Sequence, residues 1–145
     1  TEGGLDVIKN KKKLKGIIKL LTDSNIPVSI FVDPVQEQLE NCAEVKAAWI
    51  ELHTGKYAVT KSQTRDLELS ILKESTAKAK SYGLRVNAGH GLTYQNVEPV
   101  AAIEGIEELN IGHTIISRAL SVGLSQAVKE MKNLIVNPRK DSILI

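Results

Sequence analysis

Four short runs rich in β-branched and apolar residues alternate with helical stretches. This alternation restricts the chain to α/β architectures with parallel strands and helical crossovers. The runs cover residues 26–33, 48–53, 84–88 and 108–111. A helix precedes the first run, with Leu14, Ile17, Ile18 and Leu21 on one face. Pro34 stands at a helix start, and residues 35–45 read as helical. A long helix over residues 63–82 stops at Gly83. After the third run a helix start is expected near Thr93, and residues 95–103 form a short helix with Pro99 tolerable only in its first turn. Gly123 divides two final helices, residues 114–122 and 124–136, and Pro138 is expected to end the second. Residues 1–136 then make one unit, with residues 137–145 as a C-terminal tail.

Polarity along the strands chooses between a doubly wound sheet and part of a (βα)8 TIM barrel. Side chains alternate faces along a strand. Trp49, Glu51 and His53 share one face of the second run, while Ile50 and Leu52 share the other. Asn87 opposes Val86 and Ala88, and Asn110 opposes Leu109 and Ile111. A central doubly wound strand is apolar on both faces. A barrel strand can direct polar groups into the lumen near the active-site mouth. The barrel is therefore the expected fold, with this chain supplying about the last four βα units plus a short extra helix.

Several function classes are disfavoured. Aromatic residues make up 3% of the 145-residue chain, too few for a surface that stacks nucleic-acid bases. The net charge is +2, and the lysine run over residues 9–15 reads as a solvated helix face. Cys42 is the single cysteine, so no internal disulfide can form, which fits a reducing compartment. No stretch is long and apolar enough to span a membrane. His53, His90 and His113 lack a local metal-ligand spacing, so no metal is expected. Walker, dinucleotide and nucleophilic-serine motifs are absent.

The chemistry concentrates at two strand ends. The third run ends in Gly89-His90-Gly91, and the fourth continues into Gly112-His113. Glycine weakens a strand but lets backbone approach a ligand. An imidazole titrates near neutrality, which makes His90 the candidate general acid or base. His113 heads a short helix, whose N-terminal N–H groups and dipole favour phosphate. Barrels often build such a phosphate site from the last two strand loops and an extra helix. Glu51 would face the lumen, where a carboxylate needs a partner, and no arginine is obviously placed to meet it. His53 is either a hydrogen-bonding prop or a ligand.

The segments Thr1 to Asp6, Ile50 to Gly55, Val86 to Tyr94 and Glu108 to His113 together resemble the pyridoxine 5′-phosphate synthase family, in order, up to about Val136. The resemblance implies a barrel enzyme that condenses 1-deoxy-D-xylulose 5-phosphate with 3-amino-2-oxopropyl phosphate. It implies release of inorganic phosphate and water, no organic cofactor, and octamers in the cytoplasm. It places His90 on the family's proton donor and Glu51 on its transition-state stabiliser. Gly91, Gly112 and His113 fall on its contacts to the amino-ketone phosphate. The family's first half, with a general-base glutamate, another catalytic histidine and arginines for the other substrate, has no counterpart in the 145 residues. The chain opens inside what resembles the loop that contacts deoxyxylulose phosphate, and is expected to be inactive alone. Two other readings stand beside this one: a different phosphate-binding barrel enzyme, and a non-catalytic half-barrel that assembles through its open strand edges.

Overall fold

A computed structural model describes residues 3–61 and 63–141. Helix α1 (Val7–Asp23) leads into β1 (Ser29–Val32), followed by α2 (Gln36–Glu44) and β2 (Trp49–His53). Next come α3 (Gly55–Val59), α4 (Gln63–Ser81), β3 (Arg85–Gly89) and α5 (Val97–Ala101). The last elements are β4 (Ile106–Asn110), α6 (His113–Val122) and α7 (Leu124–Asp141).

The sheet has the order β1-β2-β3-β4, and every neighbouring pair is parallel. Parallel crossovers are right-handed in nearly all proteins, so a sequential order carries each crossover to the same side. The helices accordingly form a row in which α1 meets α2, α2 meets α4, α4 meets α5 and α5 meets α7. A doubly wound sheet reverses its strand order; among the described residues this sheet does not. The fold is α/β with a parallel sheet, in an arrangement consistent with part of a barrel-like wall.

Register explains which face is buried. Ile30, Ile50 and Val86 line up across the sheet, as do Val32, Leu52 and Ala88. All six are at most 3% exposed, under the helices. On the opposite face Phe31, Glu51 and Asn87 share a row and are half-buried. Burying such aliphatic side chains contributes roughly 1.5–3 kcal/mol each, which makes this layer the main source of stability.

Several local expectations needed correction. The buried stripe of α1 runs through Val7, Leu14, Ile18 and Leu21, while Ile17 is 43% exposed. Steps of three and four residues explain this, because Ile17 and Ile18 lie too far apart around the helix to share a narrow stripe. The strand β4 begins two residues earlier than expected, at Ile106, and a register shift between Val86 and Asn87 accommodates Glu107. Glu107 pairs with Arg85, which also lies over the Trp49 ring at 4.4 Å. The helix start near Thr93 is a turn instead. The Asn96 side chain accepts from the Thr93 N–H at 2.6 Å, and α5 begins only at Val97. Pro99 does sit in the first turn of that helix. Helix α7 does not stop before Pro138 but continues to Asp141. A proline in the final turn withholds one N–H from a ladder that is about to end, while Ala127 and Met131 anchor the preceding turns in the core. Residues 142–145 of the expected tail lie outside the described residues.

The lysine-rich segment of α1 is largely exposed, with Lys11 paired to Glu44. No helix among the described residues is long and apolar enough to cross a membrane. Cys42 is fully buried on α2, and burial pushes its thiol up to about 12. The thiolate is the reactive form. Iodoacetamide should therefore leave Cys42 unmodified in the folded full-length protein and alkylate it only in denaturant, as read by peptide mass mapping.

Candidate active site

The parallel strands end together on one side of the sheet, and the loops that follow them enclose a cleft of about 660 Å³. Glu51, His90, Gly91, Gly112 and His113 all line it. Five candidates separated by up to 62 positions in sequence thus meet at the carboxyl ends of β2, β3 and β4. Parallel α/β proteins place ligands at that end because the loops there converge and helix N-termini point toward it.

Each candidate is held by identifiable neighbours. Glu51 lies on the half-buried face of β2, where its Oε2 accepts a 2.6 Å hydrogen bond from Asn110 Nδ2 at the end of β4. The partner that sequence reasoning could not find among the arginines is this asparagine. Gly89 makes room for the pair. A Cβ there would stand 2.5 Å from Glu51 Oε1 and 2.8 Å from the Asn110 carbonyl oxygen. The glycine before His90 thus spares space for a carboxylate rather than for a ligand.

His90 has a backbone φ of +84°, a left-handed conformation that costs a non-glycine residue on the order of 1 kcal/mol or more. The surrounding structure holds it there. The buried Thr54 hydroxyl lies 2.7 Å from the Gly89 carbonyl and 2.6 Å from the His90 carbonyl, and its single proton serves one at a time. Gly91, with φ +75°, packs where a Cβ would strike Ala58 of α3. Tyr57 of α3 donates to the Asn96 carbonyl at 2.7 Å, tying the turn after His90 to the same helix. Burial, then the charge of nearby His53, holds the His90 imidazole below its ordinary value of 6.5, against an opposing pull from Glu51. The neutral ring is therefore the resting form near neutral pH.

Gly112 is the N-cap of α6, has no side-chain cap, and would have open space around a Cβ. His113 and Thr114 open the helix at the cleft wall. First-turn N–H groups have no carbonyl partner within their own helix, so this end can accept an anion. The site thus pairs a carboxylate and an imidazole with an anion-accepting helix end. Among the described residues no group of three His, Cys, Asp or Glu side chains could hold a metal ion.

Sequence reasoning passed over Asp33 and Thr54. Asp33 ends the first strand run, and its Oδ1 lies 2.7 Å from His53 Nδ1 and 3.1 Å from the Gly4 N–H that donates to it. Burial works against the Asp33 carboxylate, but the His53 and Gly4 hydrogen bonds outweigh it and hold the group below 3.8. The unfolded chain therefore binds the proton first on acidification. The stabilisation is complete above about pH 4 and is lost as pH falls through the lower folded value. In acid denaturation of the full-length protein, Asp33→Asn should flatten the loss of stability below about pH 4; an unchanged slope would contradict this role. The signal available in sequence was position alone, since strand ends of parallel sheets face the site.

A parallel sheet with a row of helices, and a cleft at its carboxyl edge lined by a carboxylate, an imidazole and a helix N-terminus, mark an α/β protein with a candidate site at the strand ends. The chain belongs to the PdxJ family: the family model described as pyridoxal phosphate biosynthesis protein PdxJ matches residues 1–137. It is 86% identical over its whole length to a pyridoxine 5′-phosphate synthase of Prochlorococcus marinus strain NATL2A, covering 59% of that protein. It is 62% identical over 143 residues to the pyridoxine 5′-phosphate synthase of Synechococcus sp. strain WH7803, which is 99% of this chain and 58% of the relative. The chain therefore spans under two thirds of the length of these relatives.

Proposed function

We propose that this chain carries the acid and amino-ketone-phosphate side of a pyridoxine 5′-phosphate synthase. The reaction condenses 1-deoxy-D-xylulose 5-phosphate with 3-amino-2-oxopropyl phosphate and releases inorganic phosphate and water. The convergence of Glu51, His90, Gly91, Gly112 and His113 on one cleft is the observation that carries this reading. The phosphate of the amino ketone sits at the N-terminus of α6, against the Gly112 and His113 backbone. Gly91 leaves the loop after β3 close to the bound substrate. His90 takes up a proton during the reaction and returns it to a leaving oxygen as general acid. Its neutral resting form suits that sequence. Glu51, oriented by Asn110, stabilises the positive charge that develops on the condensing nitrogen. No organic cofactor or metal enters these steps.

The strands belong to a (βα)8 barrel, of which this chain forms the last four units and α6 the extra phosphate-site helix. The one-sided helix row and the polar face of the sheet support that reading. Both outer strands, β1 and β4, are then inner strands of the complete barrel. The complete protein works in the cytoplasm as a homo-octamer, as the resemblance implies. Incubating the full-length protein with both substrates should yield pyridoxine 5′-phosphate and inorganic phosphate together. Binding of both phosphates without product would leave the cleft as a binding site and remove the synthase reading.

A further inference from the structure

His53 does not line the cleft, yet it is the best-held ring near it. Its side chain is 11% exposed, and its Nδ1 meets Asp33 Oδ1 at 2.7 Å. An ionised carboxylate only accepts, so Nδ1 must carry the proton in this contact. Nε2 is buried with no hydrogen-bond partner among the described residues. Gly55 packs so closely on it that a Cβ there would collide with the imidazole. On the other side, the His53 and His90 ring centroids lie 4.9 Å apart, edge to face, with Phe31 closing the group at 5.1 Å and 6.5 Å. His90 thus has its backbone pinned by Thr54 and its ring set against His53.

We propose that Asp33 and His53 form a positioning pair for His90, Asp33 clamping His53 and His53 orienting the His90 imidazole at the wall of the cleft. The pair deepens the proposed synthase reading and rests on it for its kinetic consequence, though not for its structural one. A nearly buried donor with an ionised partner is a firm support, because breaking it leaves the His53 N–H unpaired, while Asp33, at 39% exposed, can turn to solvent. The contact also couples charge. His53 disfavours a proton on His90, the two rings lying 4.9 Å apart. The charged and titratable groups around His90 are Glu51 and His53 from β2 and Asp33 from the end of β1, with His113 across the cleft. Glu51 favours a proton on His90, and His53 disfavours one.

The test is a nitrogen-15 NMR titration of His90 in the full-length protein, its signal identified by its loss in His90→Gln. His53→Phe keeps an aromatic ring and removes both the Asp33 bond and the neighbour that disfavours a proton on His90. The His90 midpoint should rise by about half a pH unit or more once that neighbour is gone. The acid limb of kcat should rise by the same amount, with KM within about twofold of wild type. If His53→Phe fails to fold, Asp33→Asn supplies the reading. That variant keeps an acceptor for Nδ1 but frees His53 of its carboxylate, and should move the same midpoint. A His90 midpoint unchanged in a folded variant overturns the pair. A midpoint that shifts in a protein that forms no pyridoxine 5′-phosphate supports the pair and removes the synthase reading instead.

Discussion

Replacing His90 with alanine in the full-length protein should lower turnover by at least about 10²-fold, the usual scale for losing a positioned general acid. The expectation follows from where the ring sits. It lines the cleft on the third strand's end, holds a strained φ of +84°, and is kept neutral at rest by burial and by His53. Strain of that kind persists only where surrounding contacts over-determine it, as those of Thr54 do here. The alanine variant keeps the strained conformation and loses only the ring contacts to His53 and Phe31, so it should still fold. His90→Gly should be more stable than the alanine variant, by roughly 1 kcal/mol, and just as inactive. Turnover measured beside thermal melting separates the two effects. An alanine variant with near wild-type kcat would exclude His90 as the acid.

Gly89→Ala should damage both the fold and the site. Its Cβ would press on Glu51 Oε1 at 2.5 Å and on the Asn110 carbonyl at 2.8 Å. The carboxylate can swing away, but the carbonyl belongs to the β3–β4 pairing and cannot move without shifting the strand. Overpacking of this kind costs about 1–3 kcal/mol. The catalytic loss should exceed what stability explains. The 2.6 Å bond between Asn110 and Glu51 would break as the carboxylate is displaced, and kcat should fall at least about tenfold in protein that remains folded. Gly112→Ala, where a Cβ would find open space, is the matched control for stability. Equal stability of the Gly89→Ala variant and wild type, with unchanged kcat, would mean that the close packing around Glu51 has no part in the site.

The order of strands and helices was legible because strand runs and helix runs differ in period, and glycines such as Gly83 and Gly123 mark helix ends. The polar face was legible too, since Glu51 and His53 alternate with Ile50 and Leu52 in a strict two-residue rhythm. Boundaries were harder. The bulge that inserts Glu107 depends on a register between two strands, which neither strand encodes alone. Helix α3 was missed because five residues carry no helical period, and its reason for existing is the distant bond from Tyr57 to Asn96. Proline chemistry misplaced the end of α7, where tertiary packing of the earlier turns prevailed. Within the site, His90, Gly91, Gly112 and His113 announced themselves through glycine–histidine pairs, and Glu51 through its place on a polar strand face. Their supports did not. Asp33, Thr54 and Asn110 are ordinary strand-end residues in sequence, and only the fold brings them to His53, His90 and Glu51.

The most direct measurement is a crystal structure of the full-length protein saturated with 3-amino-2-oxopropyl phosphate. Its phosphate should lie at the N-terminus of α6, within about 3 Å of the first backbone N–H groups around Gly112 and His113. The amino-ketone end should reach toward Glu51 and His90 across the cleft. A phosphate bound elsewhere, with this helix end left to solvent, would contradict the assignment of the site.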